Sequence, residues 1–219
     1  MAKRVRKKEL KKDKLVEKGT RFFFYLTKHK TNLVWVIGII LIVCIGGVYF
    51  RQTIQTRQKR AELEERKAIT IYGAGNIREA LTRFEDISQL YSKTTSGINS
   101  LYWLGNIYYF QGQYQDARDF FENYINKGKD PILLQGALLG LGDTYFQEED
   151  YFQASQKYKE LTIKFPNSSL IPKALFQLIR CYQALNQLND AKETLQTLSE
   201  NYPTSHYTQR SQSLIINLM

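Results

Sequence analysis

The chain has 219 residues, 43% of them hydrophobic, and a formal net charge of +10. That composition is ordinary for a folded protein and argues against wholesale disorder. The charge belongs to one end: residues 1–32 carry a net +9 and the remainder only +1. A nucleic-acid-binding domain needs a basic face on its folded part, so nucleic acid is not an expected partner.

The N-terminal tail holds twelve Lys or Arg against Glu9, Asp13 and Glu17, and then Phe22, Phe23, Phe24 and Tyr25. It is open to two readings. It is a topology signal alone, or it also lies along an anionic leaflet, where each basic residue contributes about 1 kcal/mol.

Leu33 to Phe50 follows as LVWVIGIILIVCIGGVYF, without a charge. As a helix this stretch covers roughly 27 Å, close to a bilayer core. Trp35 near one end and Tyr49 with Phe50 at the other fit interfacial aromatics. Lys28, His29 and Lys30 before it and Arg51 after it suit a transmembrane span better than a buried core helix. A cleaved signal peptide is disfavoured by the long basic lead and by the lack of a small-residue cleavage site. Cys44, preceded by Val43, is an apolar residue of the span, and a disulfide to the distant Cys181 is not expected. Basic flanks stay in the cytoplasm, so residues 51–219 are expected across the membrane.

Beyond the span the chain repeats itself. Ala80, Ala117, Ala154 and Ala191 lie 37 residues apart, and so do Phe84, Phe121, Tyr158 and Leu195. Further columns at the same interval are Leu101, Leu138 and Leu175; Leu104, Leu141 and Leu178; and Tyr108, Tyr145 and Tyr182. Ile87, Tyr124, Leu161 and Leu198 form another. Apolar residues three or four apart within each unit mark two amphipathic helices. The short polar turns at 73–76, 111–113, 148–150 and 186–187 make those helices antiparallel neighbours. The alanine is then the point of closest approach, facing the Gly105 or Gly142 side of the first helix.

The pattern L-x-x-L-G-x-x-Y followed by A-x-x-x-[FY] and a terminating Pro resembles the tetratricopeptide repeat. LYWLGNIYYFQGQYQDARDFF and LLGLGDTYFQEEDYFQASQKY carry it well. LFQLIRCYQALNQLNDAKETL keeps the pattern with Ile179 in place of the glycine, and AELEERKAITIY lacks the Leu-Gly pair, so the earliest unit is degenerate. The units exceed the usual 34 residues. The added residues fall in KFPNSSLIPKAL and NYPTSHYTQRSQSL, a signature similar to that of cell-envelope repeat proteins of outer-membrane assembly and of the Tol-Pal system. Pro166 and Pro203 should stop the preceding helices, with Ser168 or Ser169 and Ser205 capping the next.

The expected fold is all-α: one N-terminal transmembrane helix, then a tetratricopeptide-repeat α-solenoid with a C-terminal capping helix. The expected organisation is a basic cytoplasmic tail over 1–32, the span over 33–50, and a helical linker over 51–72 that merges with the degenerate unit. The repeat domain covers 73–219, with full repeats at about 98–134, 135–171 and 172–205 and a capping helix over 206–217.

No catalytic constellation stands out. His29 and His206 are the only histidines, too few for a histidine-based metal site or triad. GAGN at 73 follows no strand and reads as a turn. Gly136, Gly140 and Gly142 are spaced as packing positions on one helix face, and Glu148, Glu149 and Asp150 as a solvated turn. Asn167-Ser168-Ser169 matches a glycosylation acceptor but reads better as a helix start. No enzyme activity, cofactor, metal or small-molecule substrate is therefore expected.

The resemblance implies a concave groove lined by the first helix of each pair. It assigns to that groove Asn99, Tyr102, Asn106, Tyr109 and Phe110; Leu139, Asp143, Phe146 and Gln147; and Phe176, Arg180 and Gln183. The alternative for several of these is packing between units or under the cap. Members that clamp the acidic tails of cytosolic chaperones use a fixed basic and amide set. Asn106 and Lys173 fit it, whereas Tyr102, Gly140 and Gln177 do not.

Tail, span and repeats together resemble the membrane-anchored ancillary subunit of the bacterial secretory translocon, the YfgM-like family. That resemblance implies an inner-membrane protein, single pass, with its N-terminus cytoplasmic and its repeats periplasmic. The implied partners are proteins: translocon subunits, periplasmic chaperones or emerging secretory chains. Two alternatives stay open: a structural scaffold of the cell envelope serving outer-membrane assembly or the wall and division machinery, and an organellar import receptor of opposite topology.

Overall fold

A computed structural model describes residues 16–21, 23–24 and 30–215. Phe22, Tyr25, Lys28, His29 and residues 216–217 of the expected cap lie outside them, as do residues 1–15 of the tail. The described residues are helical and form no strand. The chain divides into two units, Met1–Gln55 and Thr56–Met219.

Helix α1 covers Lys30–Gly73, so its residues belong to both units. In the first unit its apolar side chains find no protein to bury them: Trp35, Ile42 and Tyr49 are each more than 70% exposed. Cys44 is exposed as well. One described helix, α1 from Gly38 onward, is long and apolar enough to cross a membrane, and its apolar window contains no buried residue.

The second unit begins with the end of α1, whose residues Ala61, Glu65 and Ala68 are buried along one face at helical spacing. Eight further helices follow: α2 Ile77–Leu90, α3 Thr95–Phe110, α4 Tyr114–Lys127, α5 Pro131–Gln147, α6 Tyr151–Lys164, α7 Ile171–Ala184, α8 Leu188–Asn201 and α9 His206–Ile215. They pair as α1 with α2, α3 with α4, α5 with α6 and α7 with α8, each pair joined by three residues.

The four turns are built alike. Gly75, Gly112, Glu149 and Asn186, again 37 residues apart, have φ of 83°, 75°, 61° and 58°. A left-handed residue after a helix lets the chain reverse and closes a Schellman hydrogen bond back to the last turn. That bond recurs as Asn76 to Ile71, Gln113 to Tyr108, Asp150 to Tyr145 and Gln187 to Tyr182, N–H to carbonyl at 2.8–3.2 Å. Asp150 then caps α6 by accepting from the Gln153 N–H at 3.1 Å.

Inside each pair the four alanines are fully buried. A Cβ on Gly105 would lie 2.8 Å from the Phe121 ring, and one on Gly142 would lie 2.6 Å from Tyr158. The glycine of the first helix therefore makes room for the aromatic ring four residues after the alanine of the second. In the degenerate unit Ala68 and Phe84 hold these positions, both fully buried. Ile179 and Leu195 hold them in the last pair and share one core cluster.

Between pairs, the tyrosine column reaches back to the preceding second helix. The Tyr108 hydroxyl donates to Glu85 Oε1 at 3.1 Å and the Tyr145 hydroxyl to Glu122 Oε1 at 2.8 Å. At the third junction Lys159 occupies the glutamate position, and its Nζ sits 5.1 Å from the Tyr182 ring centroid.

Helices α6 and α8 end before Pro166 and Pro203. Ser168 Oγ accepts from the Leu170 N–H at 3.1 Å, whereas α7 itself starts at Ile171 without a side-chain cap. Ser205 Oγ accepts from Tyr207 N–H at 3.2 Å. Helix α9 covers the end of the last pair: Tyr207 lies 5.7 Å from Phe176 ring to ring, and Ser211 is fully buried. Ser211 continues the column Ser100, Ala137 and Ala174, all fully buried, so α9 packs as a fifth first helix.

Candidate functional site

Contacts join several of the expected groove residues of α3, α5 and α7 into one surface. Tyr109 from α3 and Gln147 from α5 meet, Nε2 to hydroxyl, at 3.4 Å. Tyr109 is half-buried, with Phe110 edge-on at 5.6 Å and Tyr114 at 5.8 Å. Phe110 is 73% exposed at the helix end. Phe146 is half-buried against Tyr151 at 5.2 Å, and the Arg180 guanidinium lies over its ring at 4.4 Å. Asn106 is half-buried and spends its Nδ2 on the Tyr102 carbonyl at 2.8 Å. Gln183 is half-buried at the end of α7.

Leu139 and Phe176 do not line this face. They are 6% and 5% exposed and belong to the core cluster of α5 through α9. Tyr102, in the same column, is half-buried and packs 5.1 Å from Trp103 and 5.9 Å from Tyr124, with its ring end over Gly136. The physical reason is shared: this position of each first helix points at the next pair, where burial of a large side chain contributes more than exposure would. Asn99 is also nearly buried, and its Oδ1 has no hydrogen-bond partner, like Trp103 Nε1 four residues on.

Asp143 is not an open acidic position either. It is 7% exposed and sits at the centre of a polar node between α5, α6 and α7. The Tyr158 hydroxyl donates to its Oδ1 at 2.7 Å, Gln177 Nε2 donates to the same oxygen at 3.2 Å, and Lys173 Nζ pairs with Oδ2 at 2.8 Å. Burial and then the neighbouring carboxylate push the Tyr158 hydroxyl well above the usual tyrosine range. For Lys173, burial alone would lower the ammonium pKa, but the Asp143 carboxylate outweighs it and the net direction is upward. The Tyr207 and Tyr109 hydroxyls add smaller contributions in the same upward direction. Arg180 completes the node by donating to Gln177 Oε1 at 2.9 Å.

The groove assignment thus missed Lys173, Gln177 and Tyr207. Lys173 stands in the 37-residue column of Asn99 and Gly136 and was recoverable from it. The Asp143 node joins residues 15, 30 and 34 positions apart and leaves no local signal. No group of three or more His, Cys, Asp or Glu among the described residues is placed to hold a metal ion. Cys181 is buried, and that burial pushes its thiol up to about 12, away from reactive thiolate character.

Models of the tetratricopeptide repeat match residues 98–128, 136–168 and 173–205. No curated protein sequence matches the chain. Among solved structures, a tetratricopeptide repeat protein from Parabacteroides merdae is 17% identical with a TM-score of 0.62, covering 72% of this chain and 59% of that one. PilW, described as a widely conserved type IV pilus biogenesis factor, is 18% identical with a TM-score of 0.60, over 69% of this chain and 67% of its own. YrrB, a repeat protein with an unusual peptide-binding site, is 18% identical with a TM-score of 0.55, over 70% and 77%. At these identities the likeness concerns the fold. The chain carries tetratricopeptide repeats, folded as an all-α solenoid.

Proposed function

We propose that this protein is a membrane-anchored protein-binding module that holds polypeptide segments against the shared face of α3, α5 and α7. Its setting is secretory translocation or hand-off to periplasmic chaperones at a bacterial inner membrane. The observation that carries the anchor is that the apolar stretch of α1 is unburied. Leaving that much apolar surface in water is unfavourable by about 25 cal/mol per Å², and a bilayer removes the cost. The twelve basic residues before it stay cytoplasmic, which puts the repeats in the periplasm. The organisation proposed is tail, 1–32; span, 33–50; linker, 51–72; repeat domain, 73–219.

The binding half of the reading rests on chemistry. Tyr109, Phe110 and Phe146 offer aromatic surface, and Gln147, Arg180 and Gln183 offer donors beside it. Such a mixture suits an extended chain, whose backbone needs hydrogen bonds and whose side chains need apolar contact. The test is site-specific photocrosslinking in living cells from position 109. Translocon subunits together with many short-lived secretory chains are the expected catch. A single abundant envelope protein would instead make the domain a scaffold, and protease accessibility of the repeats from the cytoplasmic side would overturn the topology.

A further inference from the structure

The repeat unit has two edges of opposite chemistry. Because the helices of each pair are antiparallel, the turns within pairs gather on one edge. The connections between pairs, residues 91–94, 128–130, 165–170 and 202–205, gather on the other. The turn edge is acidic. In the turns and the helix ends that flank them stand Glu79, Asp116, Glu148, Glu149, Asp150 and Asp190, against Arg78. Arg118, just beyond, is paired with Glu148 at 3.2 Å.

The connection edge is basic. Lys93, Lys127 and Lys129 are exposed there and form no ion pair among the described residues. Lys164 is paired with Glu160 at 2.6 Å and Lys173 with Asp143 at 2.8 Å. The acids of this edge are Glu200 and Asp130, and Asp130 accepts from the Ile132 and Leu133 N–H groups as the cap of α5. Part of the division follows the helix dipoles, which favour acids in first turns and lysines in last turns. Lys93 and Lys129 lie in connections, outside any helix, and that rule does not account for them.

Among these lysines the edge exposes Leu90 at the end of α2, Ile132 at the start of α5 and Ile163 at the end of α6, by 62%, 76% and 77%. Ile132 and Ile163 occupy neighbouring ends of the packed, antiparallel α5 and α6. Apolar side chains set between lysines suit a surface that is anionic outside and apolar just beneath. Phe110 and Phe152 are exposed on the turn edge, but the acids around them repel such a surface. Arg57 ties the connection edge to α1 by donating to the Leu90 carbonyl. It comes seven residues after Phe50, the end of the apolar stretch, and a chain of that length reaches at most about 25 Å. A bilayer holding the stretch is therefore within reach of Leu90.

We infer that the connection edge is a docking surface for an anionic phospholipid bilayer. Lys93, Lys127 and Lys129 meet the headgroups, and Leu90, Ile132 and Ile163 enter the layer beneath. The acidic turn edge then faces away from the lipid. The inference rests on the anchor in the proposed function, not on peptide holding, and adds a second, reversible membrane contact.

The test uses the full-length protein in nanodiscs of phosphatidylcholine, alone or mixed with phosphatidylglycerol. Benzoylphenylalanine replaces Ile163 in one variant and Phe152 in another, two exposed positions at opposite ends of α6. Lipid adducts formed on illumination are measured by mass spectrometry. They are expected from position 163 in the anionic discs and not from position 152. Each basic residue near an anionic surface contributes about fivefold, so Lys93→Gln, Lys127→Gln and Lys129→Gln together should weaken docking about a hundredfold. The yield from position 163 should then fall to that in phosphatidylcholine alone, with the thermal midpoint unchanged.

Equal yields from positions 152 and 163 would overturn the docking edge. So would a yield from 163 indifferent both to phosphatidylglycerol and to the lysines. Protein adducts from 163 in place of lipid would overturn it in favour of contact with a second copy of the chain. Failure of the full-length protein to enter the discs would remove the anchor itself, and the edge with it.

Discussion

The first three helix pairs and the last solve one packing problem in opposite ways. In the pairs that include α3 and α5 the first helix contributes a glycine and the second a ring, Gly105 under Phe121 and Gly142 under Tyr158. In the last pair the first helix contributes the bulk, Ile179, and the second the smaller Leu195. The helix pair keeps its interval although the bulk has moved from the second helix to the first. The same division appears at the junctions, where Glu85 and Glu122 bind tyrosine hydroxyls and Lys159 lies by a ring face. The turns divide differently, with Gly75 and Gly112 in the first two and Glu149 and Asn186 in the last two.

The comparison breaks hardest if the two solutions are mixed. Gly142→Ile places bulk where a Cβ alone already meets Tyr158 at 2.6 Å, and that ring is tethered through its hydroxyl to Asp143. A loss of about 4 kcal/mol in urea unfolding is expected, at the severe end for overpacking. Adding Tyr158→Leu recreates the last pair's arrangement and should recover about half of it, a coupling read from the double-mutant cycle. Purely additive losses would show that volume exchange is not what the period encodes.

The converse change is somewhat milder. Ile179→Ala removes bulk from a fully buried site whose partner is only a leucine, and about 3 kcal/mol should be lost to transfer and cavity terms. A loss below 1 kcal/mol would mean that Leu195 and its neighbours collapse into the space.

The turns sharpen the contrast in the stabilising direction. Glu149 holds φ of 61° without the freedom of glycine, so Glu149→Gly should raise the unfolding free energy by about 1 kcal/mol. Asn186→Gly should gain only a few tenths, roughly, because asparagine tolerates this region.

The smallest effect is expected in alkaline solution. Burial first and the Glu122 hydrogen bond second push Tyr145 up to about 12 from its ordinary 10.0. The folded protein keeps this proton where the unfolded chain releases it. Its contribution is therefore complete below pH 10 and fades between pH 10 and about 12. Thermal midpoints measured across that window should fall less steeply in Tyr145→Phe; an unchanged slope would assign the alkaline loss to other groups.

The alanine and aromatic columns were legible because they repeat at one interval and need no knowledge of neighbours. The left-handed turn residues were legible where they are glycine and hidden where the chain uses Glu149. Ala68 was hidden in a different way: AELEERKAITIY lacks the familiar Leu-Gly pair, yet an alanine over Phe84 meets the same need for a small residue. Leu139 and Phe176 were misplaced because a helical period tells which residues share a stripe, but not which side of that stripe the next pair covers. The Asp143 node was invisible for a related reason. A polar residue on a helix face looks solvated until its partners arrive from 30 and 34 positions away.

A half-buried indole gives the molecule an optical handle. The chain contains two tryptophans, and they sit in contrasting surroundings. Trp35 is exposed on the apolar part of α1, while Trp103 lies among Tyr72, Phe84 and Tyr102 at centroid distances of 5.1–5.8 Å. With Trp35 replaced by Phe, the remaining indole emission belongs wholly to the meeting place of α1, α2 and α3. The molecule thus carries an intrinsic fluorophore at the start of its repeat array, beside Asn99, whose colour and lifetime report on that junction without an added dye.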